Sequence, residues 1–199
     1  MIQFDKINKQ ILSSACLQCE DEFFQPPTTN IPKVGCCSYS PTFYLLEIAK
    51  MINKDEAFFL KHILHHPKAL LSPYHITVQA QVHSDYERVF WKESLSKLEA
   101  DDLRHSYSIC QFFKNEKGCS LHPSFKNSVC RSFICLSIEA RLNEDERESL
   151  HSWTQMIKHE EMLFQRTHEQ ALMDLGINLL SDPSAVMDYF KTLQDKKRD

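Results

Sequence analysis

The chain has 199 residues, of which 42% are hydrophobic and 25% charged, close to ordinary globular usage, so wholesale disorder is excluded. Lys plus Arg is 23 and Asp plus Glu is 27, a net charge of −4 that gives no electrostatic reason to expect a nucleic-acid partner. With Gly35, Gly118 and Gly176 as the only glycines, neither a nucleotide fingerprint nor a phosphate-cradling loop can be built. Against this plain background stand 8 cysteines.

In chain order, the first segment to Val34 reads as irregular after a short amphipathic start. Gln25–Pro32 carries Pro26, Pro27 and Pro32 and is expected to be a loop. Ser40-Pro41 then reads as an N-cap with proline at the first helical position, and Leu45, Ile48, Ala49 and Ile52 follow at helical spacing. Asp55-Glu56 opens a second helix, with Phe59, Leu60, Ile63 and Leu64 as its apolar face, ending before Pro67. Ile76–Val82 alternates as a strand should, without an evident partner. Ser84 with Glu87 resembles a capping box for a helix to about Lys97.

The stretch from Cys110 to Cys135 is loop-rich. Asn143 with Glu146 caps a long helix carrying Leu150, Trp153, Ile157, Phe164, Leu172 and Leu175, closed by Gly176. Asp182-Pro183 starts a last helix with Val186, Phe190 and Leu193 inward, and Lys196-Lys197-Arg198 complements its dipole. Trp91 and Trp153 are expected in the core. The fold class that follows is mainly α: a small helical domain with loop-rich, metal-stapled cysteine segments. Residues 1–140 form the cysteine-cluster domain, and 141–199 a C-terminal helical extension packed on it.

The N-terminus mixes charge and apolar residues too finely for a signal peptide, and no apolar run approaches the ~18 residues of a membrane span. A cytoplasmic chain is expected, with no membrane partner, and in a reducing compartment thiols serve as ligands or catalysts more than as disulfides. They fall in two groups: Cys16-x-x-Cys19 with Cys36-Cys37, and Cys110, Cys119, Cys130 and Cys135. A C-x-x-C turn spaces two thiolates for one tetrahedral ion, and soft thiolate sets select zinc, cuprous copper or iron–sulfur clusters. Converging on metal, the two groups would order segments that lack an apolar pattern of their own. Cys135, between Ile134 and Leu136, is either a ligand or a small buried hydrophobe. His122, three residues after Cys119, could replace a thiolate, whereas His151, His159 and His168 read as a polar face. Arg131 could donate to cluster sulfur or anchor an acidic loop.

Two stretches carry a family resemblance. Gly35-Cys36-Cys37, Pro41 and Glu47-Ile48-Ala49 form one. Cys110-Gln111-Phe112-Phe113, Gly118-Cys119-Ser120-Leu121 and Val129-Cys130-Arg131-Ser132-Phe133 form the other. They resemble the YkgJ-type cysteine-cluster proteins, a family of zinc- or iron-chelating domains, here with sixteen residues separating Cys19 from Cys36. The resemblance implies a metal ion, zinc or iron with an iron–sulfur cluster among the options, held by Cys16, Cys19, Cys36, Cys37, Cys110, Cys119 and Cys130. It extends distantly to flagellin lysine methylases, so a cluster-dependent protein-modifying enzyme is one alternative. The other is an interaction module whose long helix recruits a protein partner.

Overall fold

The structure, a computed structural model, describes residues 2–18, 21, 24–90, 94–115 and 117–195. It opens on a hairpin, β1 (Ile2–Asp5) antiparallel to β2 (Gln10–Ser13). The Asp5 carboxylate accepts from the backbone amides of Ile7 and Asn8, and Lys9 takes φ of 48°, which turns the chain back. A 3-10 turn over Ser14–Gln18 follows. The proline-bearing segment 25–32 lies outside strand and helix, as its prolines require.

Ser40-Pro41 does not start a helix. Thr42–Tyr44 is β3, and α1 runs over Leu45–Lys54. Ser40 Oγ accepts from the amide of Ala80, and the Pro41 carbonyl from that of Val78, so both residues serve the sheet. The first amide of α1, Leu45, is satisfied by Gln165 Oε1 at 2.9 Å instead of by a local cap. Asp55 does cap the next helix, accepting from Phe58 N at 2.9 Å; α2 covers Glu56–Phe59 and continues as a π turn over Leu60–Leu64, before Pro67.

The alternating segment splits into β5 (His75–Val78) and β6 (Gln81–Val82). The strand without an evident partner turns out to be central, with β3 on one side and β4 (Ala69–Ser72) on the other, both antiparallel. Ile76 and Val78 are fully buried in the larger apolar cluster. The helix opening at Ser84 is shorter than expected: α3 is Asp85–Phe90, and Trp91 lies outside the described residues. A separate α4 (Lys97–Ser106) begins at a capping box of Ser96 and Glu99. β7 (Ser108–Ile109) pairs with β6.

From Cys110 the chain is short elements: β8 (Phe113–Lys114), β9 (Gly118–Cys119), a 3-10 turn over Pro123–Phe125, α5 (Ser128–Ser132) and α6 (Leu136–Glu139). Then α7 (Glu144–Asp174), capped by Asn143 and Glu146, runs 31 residues, about 46 Å at 1.5 Å per residue. It ends at Gly176, whose φ of 69° no β-carbon favours. α8 (Pro183–Asp195) buries Val186 and Phe190. Lys196-Lys197-Arg198 lie outside the described residues.

The expected mainly α fold with loop-rich, metal-stapled cysteine segments is thus overturned. About 51% of the described chain is helical and 15% strand, a mixed α/β architecture of helices and small sheets. Apart from β5 and β6, which the alternation over Ile76–Val82 marks, the strands leave no sequence signal because each has four residues or fewer, too short for an alternation to register. Two apolar clusters hold the fold. The larger gathers Phe43, Ile48, Met51, Phe59, Ile76 and Phe112 with Leu172 and Phe190; the smaller gathers Ile2, Ile11, Ile138, Leu150 and Ile157, with Trp153 half-buried against Phe4. The boundary expected at residue 140 lies between α6 and α7, and both clusters take residues from each side of it. Leu175 stands on the surface, 61% exposed.

Candidate metal centre

The thiols are positioned by backbone and core contacts around them. Cys110 N donates to the Cys37 carbonyl at 2.8 Å, tying the start of the second cysteine segment to the end of the first. Phe112 is buried edge-to-face on Phe43 at 5.7 Å between ring centroids. Its carbonyl accepts from both the amide (2.7 Å) and the hydroxyl (2.8 Å) of Ser120. Between these anchors β8 and β9 form a hairpin, and Gly118, at φ 73°, turns the chain so that Cys119 faces back opposite Phe113. Burying a side chain such as Phe112 contributes roughly 1.5–3 kcal/mol, enough to hold so short a hairpin in place.

Cys130 sits on α5, whose N-cap is Asn127. Asn127 Oδ1 accepts from Cys130 N at 2.8 Å, while its Nδ2 donates to the Thr42 carbonyl at 2.9 Å and to the Tyr39 hydroxyl. With its acceptor side occupied, that hydroxyl is left to donate to Cys130 Sγ, 3.7 Å away. Tyr39 and Asn127 were not singled out in the sequence. An Asn three residues ahead of a cysteine is an N-cap signal that identifies the second of them.

Electrostatic influence passes between some of these thiols: Cys36, Cys110 and Cys119 act on Cys37, and Cys110 and Cys119 act on Cys130. The hydrogen bond from Cys37 holds Cys36 down at about 7, against its burial, with Lys126 helping. Cys37, the donor, is kept protonated by that bond, by burial and by its thiol neighbours. Burial pushes Cys110 up to about 11 and Cys130 to about 12, in the latter case against the Tyr39 hydrogen bond. Burial likewise raises Tyr39. None of the described cysteines forms a disulfide. Among the described residues no group of three or more His, Cys, Asp or Glu side chains is placed to hold a metal ion.

The remaining sequence candidates are placed elsewhere. Cys16 is exposed on the 3-10 turn after β2, and Cys19 lies outside the described residues. Cys135 is buried in the smaller apolar cluster, its sulfur 3.3 Å from Ser137 Oγ, as a small hydrophobe. His122 caps the 3-10 turn, Nδ1 accepting from Ser124 N at 3.1 Å, and its ring lies tilted at 50° to Phe125, centroids 5.4 Å apart.

Arg131 points away from the sulfurs. It is wholly buried, with Nε donating to the Lys126 carbonyl (3.0 Å), Nη2 to Glu47 (3.2 Å) and Nη1 to Glu160 (3.4 Å). Glu47, from α1, is also wholly buried, and its Oε2 has no donor among the described residues. The Glu161 carboxyl lies within hydrogen-bonding reach of it. Two carboxylates bond only if one carries the proton. Burial first, then Glu161, push Glu47 up to about 8, against Arg131 and Lys50. Glu161 is well placed to accept that proton, being held by Ser128 N (3.0 Å) and Ser128 Oγ (2.6 Å).

A measurable pH dependence follows. A carboxyl with its folded pKa raised from 4.5 to about 8 binds more protons folded than unfolded throughout that window. Stability therefore falls as pH rises from about 5 to 8, by at most about 1.4 kcal/mol per pH unit for one group. Glu47→Gln keeps the acceptor for Arg131 and supplies a permanent donor to Glu161. Its thermal midpoint should fall less than the parent's across pH 5–8, as scanning calorimetry of the two proteins would show; parallel profiles would refute the shared proton.

No protein-family profile, curated protein or solved structure matches the chain. No helix among the described residues is long and apolar enough to cross a membrane.

Proposed function

We propose that the protein binds a soft metal ion through Cys36, Cys37, Cys110, Cys119 and Cys130, as zinc or as iron within an iron–sulfur cluster. What supports this reading is that the backbone ties Cys110 to Cys37 at 2.8 Å, that Cys110 and Cys119 both act electrostatically on Cys37 and on Cys130, and that none of the described cysteines forms a disulfide. Burial and neighbouring thiols oppose ionisation of Cys110 and Cys130, and a cation is the species that would relieve both. Ligation requires deprotonated sulfur, so binding would release protons and draw neighbouring side chains into a closed set. The resemblance to YkgJ-type proteins supports the same reading, with Cys135 left outside the ligand set. A reducing cytoplasm is the compartment in which such thiols would persist.

Metal analysis of protein purified without oxygen tests the proposal. Zinc in whole-number ratio in colourless protein, or iron with sulfide in brown protein, would support it and separate the two metals. Protein lacking both, and taking up neither on reconstitution, would end it.

A second reading has one observation in its favour. Met156, Met162, Leu163 and Met173 stand exposed along α7, beside a shallow cleft of about 520 Å³ lined by Tyr44, Glu161, Gln165 and Arg166. Such a surface fits a protein contact.

A further inference from the structure

We infer that the exposed face of α7 is an interface between two copies of this chain, packed antiparallel about a two-fold axis that crosses the helix midway between Arg166 and Glu169. The inference rests on the second reading above, in which this face is a protein contact, and not on the thiols. Met162, Arg166, Glu169 and Met173 follow one another at steps of four, three and four residues, which places them in one stripe along α7. All four line the shallow cleft beside Tyr44, so the stripe is continuous in the structure. It spans about 17 Å of the helix axis. Met162 and Met173, 60% and 54% exposed, leave apolar surface open to water at its two ends.

What selects a second copy is the symmetry of the stripe. Its steps read the same from either end, methionine answers methionine, and the cation at one inner position answers the anion at the other. An identical helix laid antiparallel on it sets Met162 of each chain against the partner's Met173, and Arg166 against the partner's Glu169. An isologous contact demands this reciprocity, in which residue i meets residue j and j meets i. The charges are available for it. Among the described residues Arg166 is in no ion pair, although Glu169 stands three residues away on the same helix. Glu169 accepts from Gln165 Nε2 at 2.9 Å through Oε2, which leaves Oε1 for a further donor. With one charge of each sign, the stripe favours neither an acidic nor a basic partner over a copy of itself. Methionine is unbranched and adapts to a facing side chain of its own kind, and both methionine and arginine are enriched in protein interfaces.

Sedimentation equilibrium of the full-length protein, kept reduced so that no disulfide joins two chains, over roughly a hundredfold range of concentration tests the inference. The parent should sediment at twice the chain mass at the upper end of the range. Arg166→Glu and Glu169→Arg should each raise the dissociation constant by roughly tenfold or more, because like charges would then face each other twice in every dimer. Mixing the two variants should restore association as a one-to-one heterodimer, since each offers the charge the other lacks; a folding defect would not be repaired by mixing. Far-UV circular dichroism should match the parent's for both. A parent that stays monomeric throughout, a dimer indifferent to both substitutions, or variants that do not associate when mixed would overturn the inference. In the first case, proteins retained from a lysate by the parent but not by Met162→Asp would leave the face as a contact for a different partner, and none retained would end that reading as well.

Discussion

Replacing Arg131 with Met should lower stability by about 3–5 kcal/mol, the range found when one partner of a buried charge network is removed. The size follows from its position. Arg131 is wholly buried and joins three elements, reaching Glu47 on α1, Glu160 on α7 and its own chain at Lys126. Without the guanidinium, Glu47, Glu160 and Glu161 would crowd around a space holding no cation of matching reach. Lys50, on α1, is itself pushed towards neutrality by burial, and losing Arg131 would relieve only the smaller part of that push. Lys9 is already committed to Glu160 at 2.7 Å.

Arg131→Lys should restore little, because a point charge on a flexible stem cannot reproduce the guanidinium's fixed fork of donors. Combining Arg131→Met with Glu47→Leu should recover part of the loss, since apolar replacement of a whole buried pair is often close to neutral. Urea unfolding of the four proteins gives the comparison. A loss below about 1 kcal/mol for Arg131→Met would place the network among ordinary surface ion pairs.

The second large effect belongs to the proposed metal centre. If that centre forms, Cys110→Ser, Cys119→Ser and Cys130→Ser should each reduce zinc affinity by more than the roughly 10–100-fold typical of an outer-shell change, because each would remove a ligand itself. Tyr39→Phe removes the hydroxyl beside Cys130 Sγ and with it one acceptor of Asn127 Nδ2, but no thiolate, and should fall within that range. Cys135→Ser should leave affinity unchanged, its sulfur being packed among Ile2, Ile11, Ile138 and Leu150. Competition against a chromogenic chelator provides the numbers, with thermal melts confirming that each variant folds. Equal affinity across the three serine variants and the parent would remove these thiols from consideration.

What the sequence revealed depended on the length of its signals. α7 offers Asn143 and Glu146 at one end, Gly176 at the other and apolar residues at helical spacing between, so its bounds were legible to within a residue or two. Asp55 marked α2 equally well. Apart from β5 and β6, the strands were not legible for a physical reason. Thr42-Phe43-Tyr44 runs directly into α1, so Phe43 could be read as part of a helical stripe when it pairs with Ile76. Helix α1 starts where it does because Gln165, 120 residues away, accepts from its first amide, and no local reading finds such a cap.

At the candidate site, spacing picked out the cysteines themselves. It could not reveal the supports: Asn127 fixing both Tyr39 and α5, or Arg131 turned from sulfur towards Glu47. Nor could it tell Cys135 in an apolar cluster from Cys130 beside a phenol, since both flank hydrophobic residues.

The most direct measurement of the central claim is zinc titration of the reduced, metal-free protein in two buffers of different ionisation enthalpy. The expected result is a saturable uptake at a whole-number ratio with protons released into the buffer, since Cys110 and Cys130, at about 11 and 12, enter the titration protonated. Unsaturable weak heat with no proton release would contradict a thiolate metal centre in this fold.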